Sequence, residues 1–399
     1  MKTIYLDNNA TTKLDPMVLD AMMPYLTEHY GNPSSIHGFG APVAKAIARA
    51  RQQVAALLGA EHDSEIIFTS CATEANSTAL LSAVEALPER KTLITSAVEH
   101  PAILEVCEHL ERKGYTIHRL AVNGKGQLDL AHYESLLTDD VALVSVMWAN
   151  NETGTQFPVL KMASMAKQHG ILFHTDGVQA VGKLAITLAK SDIDLLSFSG
   201  HKIHGPKGVG ALYVRRGTRF RPLLRGGHQE RGRRAGTENA AGIVGLGLAC
   251  ELAELHLPMM VKHTAELRDR LQEALLAAVP CSMVTGDPEH RTPNTLNIAF
   301  EYIEGEAILL MLNQLGIAAS SGSACTSGSL EPSHVMRAMG IPYTAAHGSV
   351  RFSLSRYTRE KEIEYVIEKL PPVIERLRSL SPYWAQNKPQ MSEFAPAYG

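Results

Sequence analysis

The chain has 399 residues, long enough for two domains with substantial cores, and its 45% hydrophobic, 20% charged composition is that of an ordinary globular protein. Lys+Arg 38 against Asp+Glu 41 leaves a formal charge of -3, so no global basic field points to nucleic acid or to an anionic membrane. The opening "MKTIYLDNNATT" lacks the apolar core of a signal peptide, and no stretch approaches the roughly 20 apolar residues of a membrane span, which makes the cytoplasm the expected location.

In chain order, short β-branched runs alternate with longer helical patterns. "SEIIFTS" precedes "TEANSTALLSAVEAL", "TLITSAVEH" meets Pro101 and "AILEVCEHLERKG", "VALVSVMWANN" precedes "LKMASMAKQHG", and "ILFHTDG" and "DIDLLSFSG" follow. The alternation predicts parallel βαβ units with helices on both sheet faces. Ligands bind such sheets beyond the carboxyl ends of the strands, and polar residues collect there: Thr73, His100, Asn151, Asp176 and the Ser199–Lys202 turn each follow an apolar strand. From about Leu257 the pattern changes to a long helix ("VKHTAELRDRLQEALLAAV"), a strand ("NTLNIAFEYI") and a helix after Gly305, which predicts a smaller α+β domain. The expected division is a large domain over 16–257, a small domain from 1–15 and 258–380, and a loose tail over 381–399.

The stretch "SFSGHKIHGPKGVGALYV" sets Lys202 and Lys207 in one glycine-punctuated turn. Ser199 and His201 put donors beside Lys202, whereas Lys207 lies between Pro206 and Gly208, where a side chain commonly points to water. Asp176 ends the strand "ILFHTD" with Gln179 one turn on; by itself it reads as a helix cap. An Asp opposite a lysine-bearing turn is also what a pyridoxal phosphate site requires: the lysine holds the cofactor as a Schiff base and the acid keeps the pyridinium nitrogen protonated. A phosphate wants backbone N–H groups at a helix start, which "SCATEAN" offers at Ala72 and Thr73, although Thr73 is equally a candidate N-cap. His100, just ahead of Pro101, is placed to lie on a cofactor ring and exchange protons. Neither G-x-x-x-x-G-K-[ST] nor G-x-G-x-x-G occurs, and His201 and His204 straddle a turn without a third ligand at helical spacing, so neither a nucleotide site nor a metal pair is favoured.

Five cysteines, Cys71, Cys107, Cys250, Cys281 and Cys325, lie scattered without a C-x-x-C pair, which argues against a disulfide framework or a zinc ribbon. Cys107, Cys250 and Cys281 sit in apolar contexts, and Cys71 abuts the proposed phosphate cup. Cys325, in "SSGSACTSGS", has almost nothing apolar around it, and this predicts an exposed, mobile loop thiol. The local residues alone do not make it catalytic.

"YLDNNATT", "GNPSSIH", "FTSCATEAN", "VEHPA", "NNETGT", "HTDGVQAVGK", "SFSGHKIHGPKGVG", "RAGTEN" and "SSGSACTSGSLEPSHVMRAMG" resemble the ordered motif series of the cysteine desulfurases, pyridoxal-phosphate enzymes with the fold of aminotransferase class V. The long cysteine loop, "RGGHQERGRRAGTENAA" and the "SPYW" tail are similar to the nitrogen-fixation, or NifS, branch. The resemblance implies an α/β fold with a mostly parallel seven-stranded sheet sandwiched by helices and a smaller α+β domain. It implies that Lys202 carries the cofactor, that Asp176 pairs with the ring nitrogen, that Gln179 bonds the phenolic oxygen and that His100 stacks on the ring. Thr73, Ser199 and His201 then hold the phosphate, helped by backbone near Ala72 and by Thr237 of a neighbouring subunit, with Gly200 also against the cofactor; shared sites imply a homodimer. Asn151 and Arg351 match the positions that orient the substrate carboxylate, Asn151 also touching the cofactor, although an arginine in "GSVRFSLS" taken alone reads as a surface ion pair. The implied reaction converts L-cysteine to L-alanine and leaves the sulfur on Cys325 as a persulfide, for delivery to an iron–sulfur scaffold protein and to nitrogenase maturation. A transient iron–sulfur cluster shared with that scaffold through Cys325 is compatible with this reading, and a selenocysteine lyase or other class V enzyme would share the Lys202 site.

Overall fold

The computed structural model describes residues 3–321 and 332–386. Its strands are β1 (Ile4–Tyr5), β2 (Ile66–Thr69), β3 (Thr92–Ser96), β4 (Thr116–Leu120), β5 (Val141–Ser145), β6 (Leu172–Asp176), β7 (Leu195–Ser199), β8 (Gly210–Val214), β9 (Ser282–Val284), β10 (Thr295–Phe300), β11 (Ile317–Ala318) and β12 (Ser349–Ser353). Seven of them form the main sheet in the order β2-β8-β7-β6-β5-β3-β4. β3 to β7 pair in parallel, as the strand–helix alternation predicts. β8 runs antiparallel to both of its neighbours. The reason is the length of its connection: between Ser199 and Gly210 the chain forms only a tight turn with the short 3-10 segment Gly200–Lys202, too little to cross over the sheet. β5 and β7 are buried along their whole length, which suits continuous apolar runs covered on both faces.

A second sheet, β12-β10-β9, is antiparallel, and β1 pairs in parallel with β11. One apolar cluster covers one face of the main sheet and also takes in Val335, Met336 and Ala345, a second with Ile67, Leu93, Leu143 and Leu212 covers the other face, and a third gathers Leu6, Leu271, Leu296, Phe300, Phe352 and Ile363. Helix Ala240–Ala278 belongs to two of these regions, with Ile243 and Leu246 in the first cluster and Leu267 and Leu271 in the last, and it continues through Pro258. This helix is apolar and long enough to cross a membrane. Its Ile243, Leu246, Ala249 and Cys250 are instead buried in the core. It lies against helix Ala41–Leu58 so closely that a Cβ on Gly247 would come 2.6 Å from the Ala50 Cα, an approach only glycine permits. Near the C-terminus Pro382–Gln386 is helical, with the Arg378 guanidinium 4.3 Å from the Trp384 ring centre.

The arginine-rich segment before Ala240 is tied to the main sheet by Glu230. Its carboxylate, 7% exposed, accepts two 2.7 Å bonds from Arg51 and one of 3.0 Å from the Phe68 N–H on β2. Glu230→Ala takes the counter-charge from the largely buried Arg51 guanidinium, which keeps the Ile66 carbonyl, and leaves the buried Phe68 N–H without its acceptor, so urea unfolding should show a loss of about 3 kcal/mol.

Candidate active site

The carboxyl ends of β5, β6 and β7 open on one cavity of about 460 Å³, lined on one side by the start of helix Ala72–Ala86 and on another by Arg351 of the second sheet. Ala72 and Thr73 enter it from the helix, His100 from the loop after β3, and Asn151 from the loop after β5. Asp176 and Gln179 follow from β6, Ser199, His201 and Lys202 from the turn after β7, and Arg351 from β12. Gly200 supplies the backbone of that turn, its carbonyl accepting from the Ile203 and Gly205 N–H groups, and it does not line the cavity. Thr237 lies with Ser70, Gly208 and Arg234 in a different cavity. Cys325 falls outside the described residues.

Local chemistry explains each orientation. Asp176 ends a buried strand, and its Oδ2 accepts from Asn76 at 2.7 Å and its Oδ1 from the Val178 N–H at 2.9 Å, so the carboxylate keeps one orientation. His100 caps the helix that begins at Pro101: its Nδ1 accepts from the Ala102 N–H at 3.1 Å. That bond leaves the proton on Nε2 in the neutral ring. Burial holds the imidazole below its ordinary pKa; Lys202 and His334 push the same way, against the pull of Asp176. His201 is pushed down to about 4, chiefly by burial and then by Lys202 and Lys207, and its Nδ1 lies 3.1 Å from Thr11 Oγ1.

Lys202 Nζ donates to the backbone carbonyls of Asn9 at 2.6 Å and Ala10 at 2.8 Å. Arg351 is 2% exposed, so its reading as a surface ion pair does not hold. Its Nη1 donates to the Asn151 carbonyl at 2.9 Å and its Nη2 to Asp7 at 2.8 Å, while its Nε is buried without a partner.

Several groups here escape a reading of motifs. Asn76, one turn beyond Thr73 on the same helix face, was legible as a polar residue inside an apolar helix pattern. Glu99 is fully buried beneath the site, where it accepts from Ser96 Oγ at 2.6 Å and from the Met147 N–H at 3.0 Å. From the other side of the undescribed segment come Ser333, donating to buried Glu152 at 2.6 Å, and His334, whose Nε2 meets the Glu99 carbonyl at 2.9 Å. Only the tertiary fold brings these pairs together.

The residues suit a phosphorylated pyridine. Helix Ala72–Ala86 starts at Cys71 without a side-chain cap, which sets aside the N-cap reading of Thr73 and leaves first-turn N–H groups at the cavity wall. Ser199 Oγ is buried there and has no partner within the protein, as an atom awaiting a ligand oxygen does. A fixed carboxylate stands in the same cavity as the lysine.

Residues 4–366 match the family model of class-V aminotransferases. The chain is 67% identical to a cysteine desulfurase of Enterobacter agglomerans and 65% identical to the cysteine desulfurase NifS of Azotobacter vinelandii, with full coverage of both chains in each case. It belongs to the cysteine desulfurases of the class-V aminotransferase family. A solved NifS-like protein, 39% identical, superposes with a TM-score of 0.88 over 94% of this chain and 100% of its own. Enzymes of this family use pyridoxal phosphate, and the fold is the mostly parallel, helix-flanked α/β sheet that the motif series implies.

Burial pushes the Glu99 carboxyl up to about 8, and the nearby Asp176 charge adds to the rise. A raised carboxyl pKa contributes stability that is complete below the unfolded value near 4.5 and lost as pH climbs to about 8. Glu99→Gln removes that titration, so the stability of the variant relative to the parent should rise between pH 5 and 8, as followed by urea midpoints of the cofactor-free protein.

Proposed function

We propose that this protein converts L-cysteine to L-alanine and passes the sulfur to its own Cys325 as a persulfide. The observation that carries the reading is the convergence on one cavity of Lys202, Asp176 and His100 with Arg351. Bound pyridoxal phosphate supplies an electron sink that allows an amino acid to lose its Cα proton and then its sulfur substituent. Lys202 would hold the cofactor and would serve as the base for the Cα proton, the Asn9 and Ala10 carbonyls fixing the position of its amine. Asp176, held by Asn76 and Val178, stabilises a proton on the ring nitrogen. His100 presents Nε2–H toward the cavity, and the unpartnered Nε of Arg351 supports a substrate carboxylate bound at that side chain. Thr73, Ser199 and His201, with the Ala72 N–H and the Gly200 backbone, hold the phosphate.

In the sulfur step the substrate's carbon–sulfur bond breaks, a sulfur–sulfur bond forms at Cys325, and the carbon skeleton is protonated and leaves as alanine. The sulfur then passes to an acceptor for iron–sulfur cluster assembly; the likeness to a protein named NifS supports nitrogenase as a destination. A homodimer is supported by two observations. Thr237 lies away from the Lys202 cavity of its own chain, and Leu26, Tyr30 and Ile36 expose apolar surface 60%, 74% and 105% of the reference.

Borohydride reduction of the yellow protein should attach the cofactor to a peptide carrying Lys202; label on Lys207 overturns that assignment. Mass spectrometry after L-cysteine should find one added sulfur on Cys325. Cys325→Ala should keep the cofactor and lose alanine production by roughly a thousandfold or more, whereas full activity means a lyase that needs no enzymic thiol.

A further inference from the structure

One buried cation has no part in the scheme above. Lys183, in the turn after β6, is 6% exposed. Gly182 sends it inward: its φ of +71° is open to glycine, and a Cβ there would lie 2.7 Å from Ile203 Cγ2. Lys183 Nζ donates to Gln179 Oε1 at 2.5 Å. An ammonium can only donate and a carbonyl can only accept, so this bond and the one from Nε2 to the Asn9 carbonyl together decide which end of the Gln179 amide faces which way. Oε1 is turned to Lys183, and Nε2 is turned to the side where it donates to the Asn9 carbonyl at 3.1 Å, the same carbonyl that receives Lys202. The amide NH₂ has a second N–H, and Gln179 lines the active-site cavity.

We infer that Lys183 is a positioning residue: by fixing the Gln179 amide it makes that side chain an obligatory donor to an anionic ring oxygen of the bound cofactor. The inference rests on reading the cavity as the pyridoxal phosphate site. Burying an ammonium against one neutral amide is costly, and the surroundings add to the cost. Burial first, and then the charges of Lys202 and Arg351, push Lys183 down to about 7, while Lys183 in turn depresses His201 and His204. A methionine would fill the same space without that penalty, so packing alone does not account for a lysine here.

The test is the pH titration of the yellow absorbance in cofactor-loaded wild type, Lys183→Met and Lys183→Arg, with melting of the cofactor-free proteins followed in parallel. With the Gln179 amide held from the Asn9 side only, the spectral midpoint of Lys183→Met should rise by about one pH unit, a roughly tenfold change in proton affinity. Lys183→Arg keeps a donor-only cation on Gln179 and should restore the wild-type midpoint. A Lys183→Met protein that melts differently but titrates like wild type overturns the inference and leaves Lys183 a packing residue. If Lys183→Met does not fold, Lys183→Gln, which lets the amide turn over, is judged by the same midpoint. Failure of the site reading has a separate signature: borohydride then places no label on Lys202 of the wild-type protein.

Discussion

An ammonium inside a protein must be given acceptors, and Lys202 finds them in backbone carbonyls near the N-terminus, those of Asn9 and Ala10 among them. That requirement organises the site. The segment carrying those carbonyls is itself held from several sides: the Asn9 N–H bonds Ser353 Oγ at 2.9 Å, and its side chain bonds Thr295 Oγ1 at 2.8 Å and the Asn151 carbonyl at 3.1 Å. Asp7 next to it pairs with Arg351. A short N-terminal stretch thus ties the end of β7, the loop after β5 and the strands β10 and β12 into one wall, so Lys202 and Arg351 share one frame. Backbone carbonyls suit this duty because they accept without adding a charge that would trap the amine as a permanent ion pair.

The charges around the cavity are balanced by burial as much as by pairing. Asp176 and Glu99 lie close enough for the ionised Asp176 to oppose ionisation of Glu99, which is fully buried. Burial first, and then that neighbouring charge, keep Glu99 largely protonated near neutral pH. Among the cations the same logic sets Lys183 against Lys202 and Arg351. The imidazoles His100, His174 and His201 are all depressed, burial being the leading cause in each. For His100 and His201, beside Lys202, a neutral ring avoids further repulsion, and His100 is left as a hydrogen-bond donor rather than a competing cation.

Much of this was legible in the residues. Strand–helix alternation specified a parallel sheet, because each apolar run needs two covered faces and each crossover needs a helix. The polar residues that end those runs, His100, Asp176 and Ser199 among them, do collect at one sheet edge. Their convergence follows from topology alone: in parallel strands every carboxyl end points the same way. The motif series added the chemistry, since Asp and Lys at such an edge are otherwise as readily a helix cap and a solvated turn.

Other features depended on distances between residues far apart in sequence. Nothing local to Asn9 marks it as an acceptor for Lys202, and nothing in "SLEPSHVMRAMG" reveals that Ser333 and His334 meet Glu152 and the Glu99 carbonyl. Arg351 reads locally as a surface residue and is buried because β12 lies beside β10 and the N-terminal segment. Lys183 carries a charge that any propensity scale places in solvent; only the closure of Gly182 against Ile203 turns it inward. The order of residues by itself determined which segments become strands, which way they run and which polar groups end them, because periodicity and connection length act along the chain. The tertiary structure decided which charges lose water and which carbonyls receive them, because desolvation and pairing are properties of neighbours in space.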